Sequence, residues 1–407
     1  MATKTADMET AFQAACDDGT IPGAILAATN RDGSFNYAKA FGFRSLDGET
    51  KPKCELDTVL ALFSATKLVT TIAALQLVEQ GKISLEGDTA SLLPELASLP
   101  ILLDMKDGEA ELRERQNPIT LRHLLTHSSG LAYTFMAPKL GEYQKSIGKP
   151  AMAPPRTVVE SYNTPLLFEP GTSWTYSTGM DWAGLLISRV SKMTLEEYFQ
   201  KNIMARLDIE DITFWPEKHA ELKDRLASLS IRGQPSTDGA GKCLPYKGPS
   251  MASAVQEEFG GQGLFASAPS YLKILKSILT DDEKLLSKQT TAMMFSAQLT
   301  AESRQALQAV YESQPTTGPC SVGNFRPDVQ YDWGFGGLLT MEDADSRKKG
   351  CMNWSGMPNL FWFLDREAGV CGIYGGQLMP AGDAQVKEMI KLFESTVYSI
   401  GVKSSLL

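Results

Sequence analysis

From position 64 the chain reads Ser64-Ala65-Thr66-Lys67-Leu68-Val69-Thr70-Thr71-Ile72-Ala73-Ala74-Leu75-Gln76-Leu77-Val78-Glu79-Gln80. At 100° per residue its apolar side chains cover nearly the whole circumference of a helix, and Gly81 stands where a left-handed cap would end it. A helix apolar on every side is a buried one, so the rest of the domain must wrap around it.

Strand-like runs lie on both flanks of this helix. Upstream, an amphipathic stretch over 9–16 leads into two runs, 23–29 and 35–41, joined by Asn30-Arg31-Asp32-Gly33, a hairpin signal. Downstream of residue 330 the pattern changes to strands, over 333–340, 349–355, 359–364 and 370–374, and a last amphipathic helix covers 384–398. Between them, 86–277 reads as helical pieces (121–125, 182–190, 195–203) broken by Pro154, Pro155 and Pro165, with 233–250 as an exposed loop. The economical fold is α+β. One antiparallel sheet flanked by helices draws strands from both chain ends (domain 1–85 and 278–407), with an all-α domain inserted over 86–277.

Composition excludes several functions. With 39 Lys and Arg against 48 Asp and Glu the net charge is −9, which repels a phosphate backbone, and no basic stripe interleaved with aromatics occurs. No apolar run reaches the ~18 residues of a membrane span. The opening ten residues lack the apolar core of a secretion signal. Six cysteines are scattered without a Cys-x-x-Cys pair, which points to reduced thiols in a cytoplasmic protein. His123 and His127 are four apart, but Leu-Leu-Thr lies between them with no glutamate, so a structural pair is expected rather than a metal site.

With three histidines in all, a nucleophile needs another base. A buried lysine serves, because desolvation disfavours its ammonium form. Ser-x-x-Lys sets hydroxyl and amine one helical turn apart, and it occurs four times, at Ser64/Lys67, Ser146/Lys149, Ser270/Lys273 and Ser346/Lys349. Only the first opens an apolar helix. Two readings stay open there: a catalytic pair, or a serine cap followed by a snorkelling lysine.

Ser64-Ala65-Thr66-Lys67, then His123-Leu124-Leu125-Thr126-His127-Ser128-Ser129-Gly130-Leu131, then Tyr176-Ser177-Thr178 together resemble the serine β-lactamase/penicillin-binding-protein-like family in its class C and esterase branch. Trp174, Asp181-Trp182-Ala183-Gly184, Phe259-Gly260-Gly261-Gln262-Gly263 and Pro358-Asn359 are similar to the fungal acyltransferases of that family. The resemblance implies Ser64 as nucleophile, Lys67 as base and Tyr176 as a phenolate or proton-sharing partner. It also implies the N–H groups of Ser64 and Met357 as oxyanion hole, and Tyr133, Phe135, Trp354, Ser355 and Gly356 as substrate contacts.

Trp354 and Thr178 stand where β-lactamases carry a lysine and an asparagine, which counts against activity on β-lactams. Ala381 stands where the acyltransferases carry a pocket tryptophan, so the acceptor is expected to differ. The implied reaction moves an acyl group from a thioester to a hydroxyl of a polyketide-like small molecule, or to water in an esterase, with no cofactor and no metal. Residues 133–155 are a candidate lid or core. Arg347-Lys348-Lys349 is either a docking patch for an acyl-carrier protein or a solvated turn.

Overall fold

Seven strands make the central sheet of the computed structural model, which describes residues 2–149, 156–235, 241–248, 255–313, 320 and 322–404. They are β1 (Gly23–Asn30), β2 (Asn36–Gly42), β3 (Tyr331–Trp333), β4 (Leu338–Thr340), β5 (Met352–Gly356), β6 (Leu360–Asp365) and β7 (Val370–Gly375). Their spatial order is β2-β1-β7-β6-β5-β4-β3 and every pairing is antiparallel. The N-terminal hairpin joins the C-terminal meander through β1 and β7, with Leu26 opposite Tyr374. The expected turn forms: Asn30 takes the Phe35 N–H on its side-chain oxygen, and Gly33 adopts φ +74°.

Alternation sorts the strand side chains onto two cores. Leu26, Ala28, Phe361, Phe363 and Tyr374 pack beneath Met8 and Phe12 of α1 (Ala2–Asp17) and beneath the C-terminal helix Ala384–Ser404. Ile25, Ala27, Trp362, Leu364 and Ile373 face the opposite way, onto the helix Ala268–Thr280 and the larger core around α2 (Thr66–Glu79). Covered on both faces, β5, β6 and β7 are buried throughout, which suits the unbroken apolar run Leu360–Leu364 of β6. In α2 every residue from Thr66 to Leu77 is buried, as its all-round apolar surface requires. Gly81 ends it at φ +67°.

Several details depart from the sequence reading. The run 333–340 is not one strand. Gly334-Phe335-Gly336-Gly337 folds it into the β3–β4 hairpin, with Leu338 opposite Trp333. The middle segment is not purely helical. Ile101–Lys106 and Glu109–Arg113 pair as a hairpin that sequence periodicity could not reveal, because its charged residues are mostly exposed. Within 233–250, Cys243–Pro245 pairs with Ser230–Arg232, which in turn lies beside Leu378–Met379, while 236–240 and 249–250 fall outside the described residues.

Of Arg347-Lys348-Lys349 only the two lysines are exposed. Arg347 is buried and clamps Glu394 at 2.6 and 2.9 Å, with its guanidinium over the rings of Phe325 and Phe361. Lys348 pairs with Asp343 at 2.7 Å. The six cysteines are all unpaired, and none of the described helices is long and apolar enough to cross a membrane.

Candidate active site

Ser64 enters through an unusual backbone. Phe63, its predecessor, holds φ +47° while buried, a conformation a bulky residue adopts only when its surroundings impose it. One 3₁₀ turn, Phe63–Ala65, then carries Ser64 into α2, and no side chain caps the helix. The serine is therefore free of the capping role that was the bland alternative. The Tyr271 hydroxyl donates to Ala65 O at 2.8 Å and the Leu264 N–H to the Thr66 hydroxyl at 3.1 Å, fixing this turn against its neighbours.

Lys67 follows one turn later and is 2 % exposed. Its Nζ donates to three oxygens: Gly261 O at 2.7 Å, the Tyr133 hydroxyl at 3.1 Å and Ser64 Oγ at 3.2 Å. It also lies over the ring of Tyr176, 4.7 Å from the centroid. Burial pushes its ammonium pKa down to about 8, while the negative charge of Asp181 pulls the other way. The snorkelling alternative thus fails.

Tyr176 precedes the helix α3 (Gly179–Ser191) and is fully buried apart from its hydroxyl edge at the cleft. That hydroxyl hydrogen-bonds the Ser64 side chain and accepts the Trp354 indole N–H at 3.2 Å. Burial raises the phenol far above its usual range even though both bonds favour the ionised form. Burial thus favours the protonated phenol, the form in which Tyr176 can share a proton toward Ser64. The aliphatic and aromatic shell extends behind it through His127, whose Nδ1 accepts the Ser177 N–H at 3.2 Å. Burial holds His127 neutral, and His123 takes the Thr120 N–H in a capping box. Each ring thus accepts a backbone N–H, and among the described residues no three His, Cys, Asp or Glu side chains are grouped to hold a metal.

The cleft over Ser64 is walled by Phe63, Tyr133, Phe135, Tyr176, Gln262, Ser355 and Met357, with no charged side chain among them. Of the expected substrate contacts, Tyr133, Phe135 and Ser355 line it. Trp354 and Gly356 do not. Trp354 is 1 % exposed, packed edge-on against Trp333 behind Tyr176. Gly356 touches backbone instead: a Cβ there would lie 2.3 Å from Leu62 O. That close approach brings the end of β5 against the turn before Ser64 and sets Met357 beside it.

The segment read as lid or core divides between the cleft and a small separate core. Phe135, 56 % exposed, stacks on Tyr133 as a lip of the cleft. Tyr143 instead joins Leu102, Ala137 and Leu140 under the 101–113 hairpin, and Met152 lies outside the described residues.

Two contributors escaped the sequence reading, Asp181 and the Gly261 backbone. Asp181, wholly buried in the first turn of α3, accepts the Gly261 N–H at 2.8 Å and the Tyr133 O–H at 3.1 Å. Both residues stand in motif stretches, but nothing local in the sequence reports that they meet 80 positions apart.

The chain is similar to known proteins along nearly its whole length. The family profile named Beta-lactamase matches residues 7–389. A lovastatin esterase of Penicillium rubens is 40% identical over 96% of this chain and 98% of its own length. The monacolin J acid methylbutanoyltransferase of Aspergillus terreus is 38% identical over 96% and 95%. The unliganded simvastatin synthase of Aspergillus terreus superposes with a TM-score of 0.86 at 34% identity, covering 98% of this chain and 99% of that one. With profile, sequence and structure in accord along nearly its whole length, the chain belongs to the beta-lactamase family.

Proposed function

We propose that the chain is a serine acyltransferase working through an acyl-enzyme on Ser64. The observation that carries the proposal is a buried, destabilised ammonium 3.2 Å from the Ser64 hydroxyl, in a cleft without charged walls. In its neutral form Lys67 takes the Ser64 proton as Oγ attacks the acyl carbonyl. The developing oxyanion is met by the N–H groups of Ser64 and Met357, a stabilisation worth roughly 10²–10³ in rate per donor. Collapse breaks the acyl–sulfur bond. The thiolate leaves with the proton returned from Lys67 through the Tyr176 hydroxyl, and Trp354 holds that hydroxyl in line. An acceptor hydroxyl then attacks the acyl-enzyme carbonyl while its proton passes through Tyr176 to Lys67; the acyl–Oγ bond breaks, Lys67 returns the proton to Ser64 Oγ, and the ester leaves.

The apolar, aromatic wall suits an uncharged acyl chain and a polyketide-like acceptor, and the related methylbutanoyltransferase supports a branched acyl group. We place this cleft between a sheet domain (1–85 and 278–407), which supplies Ser64, Ser355 and Met357, and a helical domain (86–277), which supplies Tyr133, Tyr176 and Gln262. Six unpaired thiols favour a cytoplasmic setting. A second reading, hydrolysis of small-molecule esters on the same site, is favoured by the related esterase; it differs only in letting water take the acyl group.

The deciding experiment incubates the protein with an acyl thioester and a panel of alcohols, and compares ester with free acid. Transfer predicts ester that rises with alcohol concentration, and an acyl adduct on Ser64 by mass spectrometry that Ser64→Ala lacks. Free acid alone across the panel assigns the chain as an esterase. Undiminished turnover by Ser64→Ala removes both readings.

A further inference from the structure

Lys67 cannot act as base unless its one lone pair points at Ser64 rather than at another neighbour. Its three oxygen partners decide this. Gly261 O is a carbonyl and can only accept. The Tyr133 hydroxyl carries one hydrogen, and that hydrogen is committed to Asp181 at 3.1 Å, so toward Lys67 the hydroxyl also can only accept. When Lys67 is neutral its two N–H bonds therefore go to Gly261 and Tyr133, and the lone pair is left for the Ser64 O–H.

Asp181 governs both arms. One carboxylate oxygen fixes the Tyr133 hydrogen; the other takes the Gly261 N–H at 2.8 Å and so anchors the residue whose carbonyl, in the next peptide, accepts from Lys67. The fit leaves no slack: a Cβ at Gly261 would lie 2.5 Å from an Asp181 oxygen. From this geometry we infer that Asp181 and Tyr133 are positioning residues for general-base catalysis, a two-armed clamp that aims the Lys67 lone pair at the nucleophile. The inference deepens the function proposed above and rests on it. It gives Tyr133, already in the cleft wall, a second part as support for the base.

The clamp is electrostatic as well as directional. The titratable groups facing Lys67 are Asp181, Tyr133, Tyr176, His127 and Cys320. Burial keeps both phenols and the Cys320 thiol protonated and His127 neutral. Asp181 is thus the counter-charge that keeps the ammonium from being driven lower still. Replacing it by asparagine removes that charge and presents an NH₂ donor. Turned toward Tyr133, the new donor frees the phenol hydrogen to occupy the Lys67 lone pair in place of Ser64.

The test follows pre-steady-state acylation of the full chain by a p-nitrophenyl ester from pH 6 to 9.5. Asp181→Asn is expected to lower the acylation rate about 10²-fold and to move the acid limb of its profile down by roughly one unit or more. Tyr133→Phe is expected to lose rate at unchanged KM with a smaller shift of the limb. Asp181→Asn in the Tyr133→Phe background should cost less than it does alone, because one arm is already gone. Wild-type rate and limb in both single variants, or a raised KM as the sole effect of Tyr133→Phe, overturns the clamp. If Asp181→Asn does not fold, Tyr133→Phe decides by the same criterion. A wild-type protein that forms no Ser64 adduct refutes the proposed function itself, an outcome separate from variants that acylate normally.

Discussion

Gly356→Ala tests the assembly of the oxyanion site with one methyl group. The new Cβ would sit 2.3 Å from Leu62 O, so strand and turn must part by roughly 0.7–1 Å before the contact is tolerable. Leu62 has little room to yield. Its N–H is bound to Leu264 O at 2.9 Å and its carbonyl accepts the Ala65 N–H at 3.1 Å, inside the turn that carries Ser64. The end of β5 must therefore retreat, taking the adjacent Met357 N–H with it. A donor displaced by that distance no longer reaches the oxyanion, which predicts a loss of about 10²–10³ in acylation rate. The overpacking itself costs about 1–3 kcal/mol of stability. Acylation by a p-nitrophenyl ester and thermal melting separate the two effects, since a folded variant at assay temperature isolates the catalytic loss. A folded Gly356→Ala that acylates at the wild-type rate would refute the role given to Met357 and to this close approach.

Two further outcomes are expected. Because burial sets the Lys67 pKa near 8 and the base works only unprotonated, kcat/KM should fall about tenfold per pH unit below 8. Tyr176, held above its usual range, should add no alkaline limb up to pH 9.5; a flat profile from pH 6 to 9 would show that Lys67 is not the base. Arg347→Ala should lower stability by about 3–5 kcal/mol, because it leaves Glu394 charged and uncompensated in a buried setting. The pair Arg347→Met with Glu394→Leu should recover much of the loss in the same denaturant titration, and unchanged stability in the single variant would contradict a buried ion pair.

What the sequence made legible was whatever follows from periodicity or short-range spacing. The apolar circumference of 64–80 marks a buried helix because no exposed helix tolerates it, and three positions of spacing suffice to place Ser64 and Lys67 on one turn. The N-terminal hairpin carries its own turn chemistry. Two kinds of feature were hidden. The charged hairpin over 101–113 has too little apolar alternation to register as strand. The β3–β4 turn hides inside an apolar run because its glycines are buried rather than exposed. The site was legible along the chain and obscure across it: Tyr133, Asp181 and Gly261 meet only in the folded state. Trp354 shows the limit of carrying a position over from a resemblance. Its indole turns away from the cleft to hold Tyr176.

The pairing of β1 with β7 has a consequence for biogenesis. Residues 25–30 bond to residues 370–375, so a ribosome must release more than three hundred intervening residues before the central sheet can close. Contacts of such sequence separation are slow to form, and until they do β1 exposes an unpaired apolar edge. The nascent protein therefore spends most of its synthesis without a finished platform beneath the nucleophile. Truncation within the final meander should yield an aggregating chain rather than a smaller working one.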